Sequence, residues 1–185
     1  GSAELGSFLT PSQVLNYVEA HDNYNLYDLL SYVHPNDSKE QIKKQVEVAT
    51  AMNLLFQGMA FMQVGQEFLR TKLVATGPDG EVTAQDRERA MNSYNAPDAV
   101  NQVDWNLVSV NKDTIEYIRQ IIHLKKTLPA LSLESYEEIY QHVFVHTADM
   151  GSGVVVFELN WDKHYYVIFN TSGLPFYLQN ADHLE

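Results

Sequence analysis

Three neighbouring residues carry the first chemical signal in this chain. His21, Asp22 and Asn23 follow a mostly apolar stretch, Val14-Leu15-Asn16-Tyr17-Val18, and bring an imidazole, a carboxylate and an amide to one point. Apolar burial does not explain them there. A second polar pair, Gln66-Glu67, stands just past another apolar stretch, Met59-Ala60-Phe61-Met62-Gln63-Val64. A third cluster runs Asn92-Ser93-Tyr94-Asn95-Ala96-Pro97-Asp98 and resumes as Asn101-Gln102-Val103-Asp104-Trp105. Amides, carboxylates and aromatic rings at this spacing suit a ligand rich in hydroxyl groups.

Regular elements must hold these groups in place. Residues 14–20 read as a buried strand. Over 24–33, Leu26, Leu29, Leu30 and Val33 fall at helical spacing, and His34-Pro35 ends that helix. Ser38 and Gln41 form a capping box that opens a long helix over 38–57, with Ile42, Val46, Ala49 and Phe56 near one face and Gly58 as its C-cap. Residues 59–64 read as a second strand. Strand, helix, strand suggests a parallel sheet covered on both faces. In a parallel barrel the chemistry sits at the C-terminal ends of the strands, where His21-Asp22 and Gln66-Glu67 both fall in this reading.

Residues 71–106 show no clear period and read as a long loop, functional or disordered. A helix over 112–126 follows, carrying Ile115, Ile118 and Ile122; Pro129 closes it, and Lys125-Lys126 reads as its solvated end. Beyond residue 130 the pattern turns to strands: Gly153–Leu159, then Tyr165–Phe169, joined through Trp161-Asp162-Lys163 as a hairpin, with Phe176-Tyr177-Leu178 starting a third. The fold class is α/β followed by a small all-β, antiparallel module.

Composition narrows the function. The chain has 185 residues, of which 45 % are apolar and 19 % charged, which permits a sizeable core and argues against disorder. Its net charge of −12 disfavours nucleic acid and anionic membrane as partners, since both need clustered Lys and Arg. Without Cys there is no disulfide, no thiolate nucleophile and no Cys-ligated zinc. No signal-peptide pattern is visible, and no apolar run approaches the ~20 residues of a membrane span. His142 and His146 are spaced i, i+4, but Val143-Phe144-Val145 between them reads as strand, where that spacing spans roughly 13 Å. No metal is expected.

The motifs resemble the alpha-amylase family of glycoside hydrolases, and within it the type I pullulanases. YVEAHDN (17–23) is similar to the segment that ends barrel strand seven. GMAFMQVGQEFLRTK (58–72) is similar to strand eight and the start of its loop, and NSYNAPDAVNQVDWN (92–106) to the loop that follows. The likeness covers residues 14–170. It implies that 1–128 form the C-terminal part of a (β/α)8 barrel, its last two strand–helix units. It also implies that 129–185 form a truncated antiparallel β-sandwich module. The family's nucleophilic Asp and acid/base Glu would lie upstream, so the chain alone is expected to be inactive.

The implied activity of the parent enzyme is cofactor-free hydrolysis, with retention, of α-1,6 linkages in pullulan, limit dextrin or glycogen. Retaining glycosidases pass through an oxocarbenium-like transition state. By resemblance, Asp22 is the third carboxylate of that chemistry and His21 donates to a sugar hydroxyl at the cleavage subsite. Asn23 contacts the neighbouring sugar, and Asp98 resembles a family residue that holds a donor-side glucose. Where many relatives carry Arg, this chain has Gln102, which can hydrogen-bond but lacks the charge-assisted fork. Gln66 and Glu67 either contact ligand or brace the barrel mouth; Tyr94 and Trp105 either meet sugar or pin the loop. A glucan-binding module and a purely structural piece are the alternatives to an enzyme part. Self-association of the isolated chain is a further expectation. The compartment stays open; pullulanases of this type are often secreted, which is compatible with a bacterial extracellular or cell-surface setting.

Overall fold

The computed structural model describes residues 8–149 and 151–177. The chain divides into two compact units: one takes in Asn16–Leu54 and Ala60–Ile122, the other the stretch up to Leu15, Leu55–Met59 and His123 onward.

The two apolar stretches pair only briefly. β1 (Leu15–Asn16) and β2 (Met59–Ala60) lie side by side, with the Met59 N–H donating to Val14 O at 2.9 Å and the Phe61 N–H to Asn16 O at 2.8 Å. Both bonds step two residues in the same direction, as in a parallel pair. The expected strands over 14–20 and 59–64 are therefore much shorter. Past Asn16 and Ala60 the chain gives up the ladder to make the bends and turns that carry polar residues.

In the first unit, α1 (Leu26–Val33) and α2 (Lys39–Leu55) form close to the expected places. The Ser38 capping box is present: the Ser38 N–H donates to Gln41 Oε1 at 2.8 Å and the Gln41 N–H to Ser38 Oγ at 3.3 Å. Leu26, Val46 and Leu69 make a core cluster, with Val18, Tyr27, Leu30 and Ala49 against it. The apolar stripe of α1 is only half used, since Leu29 and Val33 are exposed while Asp28 is buried. Leu26, Tyr27 and Leu30 pack the helix on the core, and the hydrogen bonds of buried Asp28 add a polar anchor. α2 stops at Leu55, so Phe56 falls outside it.

Residues 71–106 are not the irregular loop the sequence suggests. They contain α3 (Ala84–Met91) and the short α4 (Asp98–Asn101). The residues of α3, AQDRERAM, lack an apolar stripe, so periodicity cannot reveal the helix. Its start is set by a capping box between Thr83 and Asp86. Asp86 also accepts from the Thr76 hydroxyl at 2.7 Å, which closes the preceding turn. A short α5 (Asn106–Val110) leads into α6 (Lys112–Thr127), which buries Thr114 and Ile118. No helix among the described residues is long and apolar enough to cross a membrane.

The second unit contains α7 (Tyr136–His142) and an antiparallel sheet in the order β3 (Val143–Asp149), β4 (Val154–Asn160), β5 (His164–Asn170). The hairpin through Trp161–Lys163 forms as expected, pairing Asn160 with His164. The third strand does not: Phe176 and Tyr177 are not strand, and Leu178 lies outside the described residues. The sheet's third member is β3, on the other side of β4, with an irregularity between Val145 and Thr147 at His146. Val154, Val156, Phe157 and Leu159 of β4 are buried. The Phe56 ring meets those of Phe157 and Phe169 at 6.1 and 6.0 Å between centroids. Lys125 is not solvated as expected. Its ammonium donates to Phe56 O at 2.8 Å and to Leu131 O, and burial pushes its pKa down to about 8.

Candidate functional site

The site is built from a chain reversal. After β1 the backbone bends over residues 21–23 and Asn23 takes a left-handed conformation, φ 62°. Asn tolerates that region better than most residues. The reversal leaves His21 and Asp22 projecting, with side chains 88 % and 75 % exposed and His21 Nε2 3.5 Å from Asp22 Oδ2. Asn23 is exposed as well.

Beneath these exposed tips lies a buried polar scaffold. Glu19 is 5 % exposed, and its Oε2 accepts the Leu26 N–H of the first turn of α1 at 2.6 Å. Asn25, fully buried, donates from Nδ2 to Arg70 O at 3.1 Å. Asp28 accepts the Thr71 hydroxyl on Oδ1 and the Lys72 N–H on Oδ2, the latter at 2.7 Å. Lys72 is 2 % exposed and sends its ammonium to His21 O at 3.3 Å, to Asn23 O, and to Ser93 Oγ at 3.2 Å. Arg70 donates to Val64 O at 3.4 Å and to Asn101 O, and Asn101 Nδ2 donates to Ser93 O at 2.7 Å. Three distant segments, 19–28, 64–72 and 93–101, are thereby tied together.

Gly65 is what lets Arg70 enter. It sits at φ +100°, and a Cβ there would lie 2.5 Å from Arg70 Cβ and 2.7 Å from Arg70 Cδ. Any side chain would be strained by the backbone and would meet the Arg70 stem.

The burial has electrostatic consequences. Desolvation pushes the Glu19 carboxyl up to about 7, against the Leu26 hydrogen bond and the Arg70 charge. Burial likewise raises Asp28, while its bonds from Thr71 and Lys72 pull it back. Lys72 is lowered by burial and next by the Arg70 charge, and is partly restored by Asp28, Glu19 and Asp22. Two acids and two bases share one interior, which is how buried charges are tolerated.

The remaining expected residues are dispersed. Gln66 is 2 % exposed and turned inward, donating from Nε2 to Thr50 Oγ1 of α2 at 2.8 Å. Glu67 folds back on its own turn, accepting the Gly65 N–H at 3.0 Å. Tyr94 is 81 % exposed; Asp98 opens α4 and Gln102 caps its end, both exposed. Trp105 lays its ring 5.7 Å from that of Phe68. So the structure joins His21, Asp22 and Asn23 on one loop and ties that loop, through Lys72 and Ser93, to the segment bearing Tyr94, Asp98 and Gln102.

The sequence alone assigns no role to Glu19, Asp28, Arg70 or Lys72, and Asn101 enters only as one amide of the third cluster. A signal existed for three of them. Glu19 lies inside YVEAHDN and Arg70 and Lys72 inside GQEFLRTK, so charges stand among apolar neighbours beside the motif residues. Among the described residues no group of three or more His, Cys, Asp or Glu is arranged to hold a metal ion.

No protein-family model matches the chain. The pullulanase of Bacillus subtilis strain 168 is 36 % identical over 133 residues, covering 72 % of this chain and 16 % of that protein. A pullulanase from Anoxybacillus sp. LM18-11, solved in complex with maltotetraose, superposes with a TM-score of 0.73 at 32 % identity, covering 88 % of this chain and 22 % of that one. A type I pullulanase from Bacillus subtilis 168, solved with maltose, gives a TM-score of 0.72 at 33 % identity, covering 86 % of this chain and 21 % of that one. The chain thus spans less than a quarter of the length of these relatives. In sequence and in fold, over most of its length, it is homologous to the type I pullulanases of the alpha-amylase family of glycoside hydrolases.

Proposed function

We propose that this chain is the part of a debranching glycoside hydrolase that supplies the third carboxylate and part of the glucan-binding surface. The enzyme hydrolyses α-1,6-glucosidic linkages in pullulan or limit dextrins with retention. The observation that carries this reading is the exposed His21–Asp22 pair standing on a rigidly bonded loop, in a chain homologous to pullulanases. Exposed tips on a buried scaffold are what a carbohydrate site needs: groups free for ligand, on a backbone that does not reorganise.

In this proposal residues 1–128 belong to a (β/α)8 barrel and 129–185 to a β-sandwich module, supported by the antiparallel sheet of β3, β4 and β5 that follows α7. Asp22 faces the oxocarbenium-like ring, and its charge is worth more at the transition state than in the ground state. His21 donates to a sugar hydroxyl and Asn23 contacts the next sugar. Tyr94, Asp98 and Gln102 present further polar and aromatic surface to α-glucan. Gln66 serves as a brace, supported by its burial and its bond to Thr50.

Asp22→Asn in the full-length enzyme tests the central role. It is expected to cut turnover on pullulan ~100- to 1,000-fold, roughly 3–4 kcal/mol, while the Michaelis constant moves far less. Near-normal turnover with a greatly raised Michaelis constant would make Asp22 a binding residue only. Purified alone, the chain is expected to release no reducing ends from pullulan and to self-associate through unpaired strand edges. Release above a blank, or a clean monomer by light scattering, contradicts the corresponding half of that expectation. Pullulan binding without turnover would favour a glucan-binding module over a purely structural piece.

A further inference from the structure

We propose that Lys72 is a positioning residue for the site, holding Asp22 by clamping the main-chain carbonyls on either side of it and tying them to Ser93. The inference rests on the function proposed above. An ammonium has three donors and no acceptor. Here the three are matched by three acceptors: His21 O, Asn23 O and Ser93 Oγ. Two of those acceptors flank Asp22 in the chain, so the backbone of that residue is fixed from before and after. The left-handed turn at Asn23 is what brings both carbonyls round to one point.

Burying a lysine this fully is costly, and a residue that only filled space would be apolar. The surroundings offset the cost through Asp28, which accepts the Lys72 main-chain N–H, and through Glu19 beneath the same loop. Burial holds the Lys72 pKa below the usual lysine value, and the Asp28, Glu19 and Asp22 carboxylates oppose that fall. The third contact extends the clamp. Ser93 is held in turn by Asn101, whose Nδ2 donates to Ser93 O at 2.7 Å. One ammonium therefore sets the separation between the loop that carries Asp22 and the segment that carries Tyr94 and Asp98.

The test uses the full-length enzyme with pullulan as substrate. Lys72→Met keeps the stem and removes the donors. It is expected to lower kcat by about 100-fold, the scale of a small misplacement of a reacting group, with KM changed less than about threefold. In the Asp22→Asn background the same substitution is expected to cost less than about threefold more, because its effect passes through Asp22. Parental kcat in Lys72→Met, or an undiminished loss on top of Asp22→Asn, overturns the inference. If Lys72→Met fails to fold, Lys72→Arg carries the test. It keeps the buried charge, but its longer stem and planar fork move the donors away from the place of the ammonium, so kcat falls while KM holds; parental kcat overturns the clamp. The main-chain position of Asp22 reads the clamp without activity: in crystals of Lys72→Met, a displacement of about 1 Å at residues 21–23 supports it, and an unmoved main chain overturns it. Should Asp22→Asn leave turnover intact, the functional reading fails while the position of the loop in Lys72→Met still judges the clamp.

Discussion

Buried carboxylates are handled differently in the two units. In the first, Glu19 and Asp28 accept main-chain N–H groups and share their interior with Arg70 and Lys72, whose own donors reach carbonyls far away in sequence. In the second, Glu158 stands in the middle strand and is met by one imidazole from each neighbouring strand: His146 Nε2 at 2.8 Å on Oε2 and His164 Nδ1 at 2.6 Å on Oε1. The first arrangement uses charge to fix loops against one another. The second uses it to join strands that the ladder already pairs. Loss of a charge should therefore disturb geometry at a distance in the first unit, and only local stability in the second.

The largest expected effect is at Asp28. Asp28→Ala strands the Lys72 N–H and removes a carboxylate from beside two buried cations, at an expected cost of about 4 kcal/mol in urea unfolding. The loop at 21–23 should loosen with it. A cost of about 1–2 kcal/mol or less, no more than that expected at Glu158, would put the two units on the same footing.

Glu19 gives the next effect, and it depends on pH. Its folded pKa of about 7 lies above the model-peptide value of 4.5, so the folded state holds the proton more tightly. The contribution is fully present below about pH 4.5 and is lost as pH rises through about 7. Glu19→Gln should therefore gain stability relative to the parent over that window, by roughly 2–3 kcal/mol at most. A parent–variant difference that is flat between pH 4 and 8 would show that Glu19 is not desolvated as described.

The smallest effect is expected at Glu158. Burial alone would raise its carboxyl, but the hydrogen bonds and charges of His164 and His146 outweigh that and hold it below the usual carboxylate range. A depressed acid contributes stability above its unfolded pKa and loses it as pH falls through the folded one. Glu158→Gln should cost about 1–2 kcal/mol near neutrality, and the deficit should shrink under acid conditions. Thermal unfolding across pH reads this; a deficit that grows on acidification would reverse the assignment.

The same contrast explains what could be read from the sequence. α1, α2, α6 and the β4–β5 hairpin were legible because each is driven by local pattern, an apolar period or a capping box. The helix α3 escapes a periodicity reading because its residues, AQDRERAM, lack an apolar stripe, although Thr83 and Asp86 mark its start. The sequence suggests a third strand at 176–178 and the structure has it at Val143–Asp149, since a single sequence does not say on which side of β4 a partner joins. His21, Asp22 and Asn23 stood out as polar residues beside an apolar run. Their supports did not, because Lys72 meets His21 and Asn23 across 51 and 49 residues of chain.

That separation also has a meaning in time. Contacts so far apart in sequence close late, after local helices have formed. On a ribosome adding about 5–20 residues per second, the loop at Asp22 waits several seconds for Lys72 to emerge, and longer for Ser93. Until then its bend has no anchor on the far side. The loop at Asp22 is thus made before its anchors and set only after them.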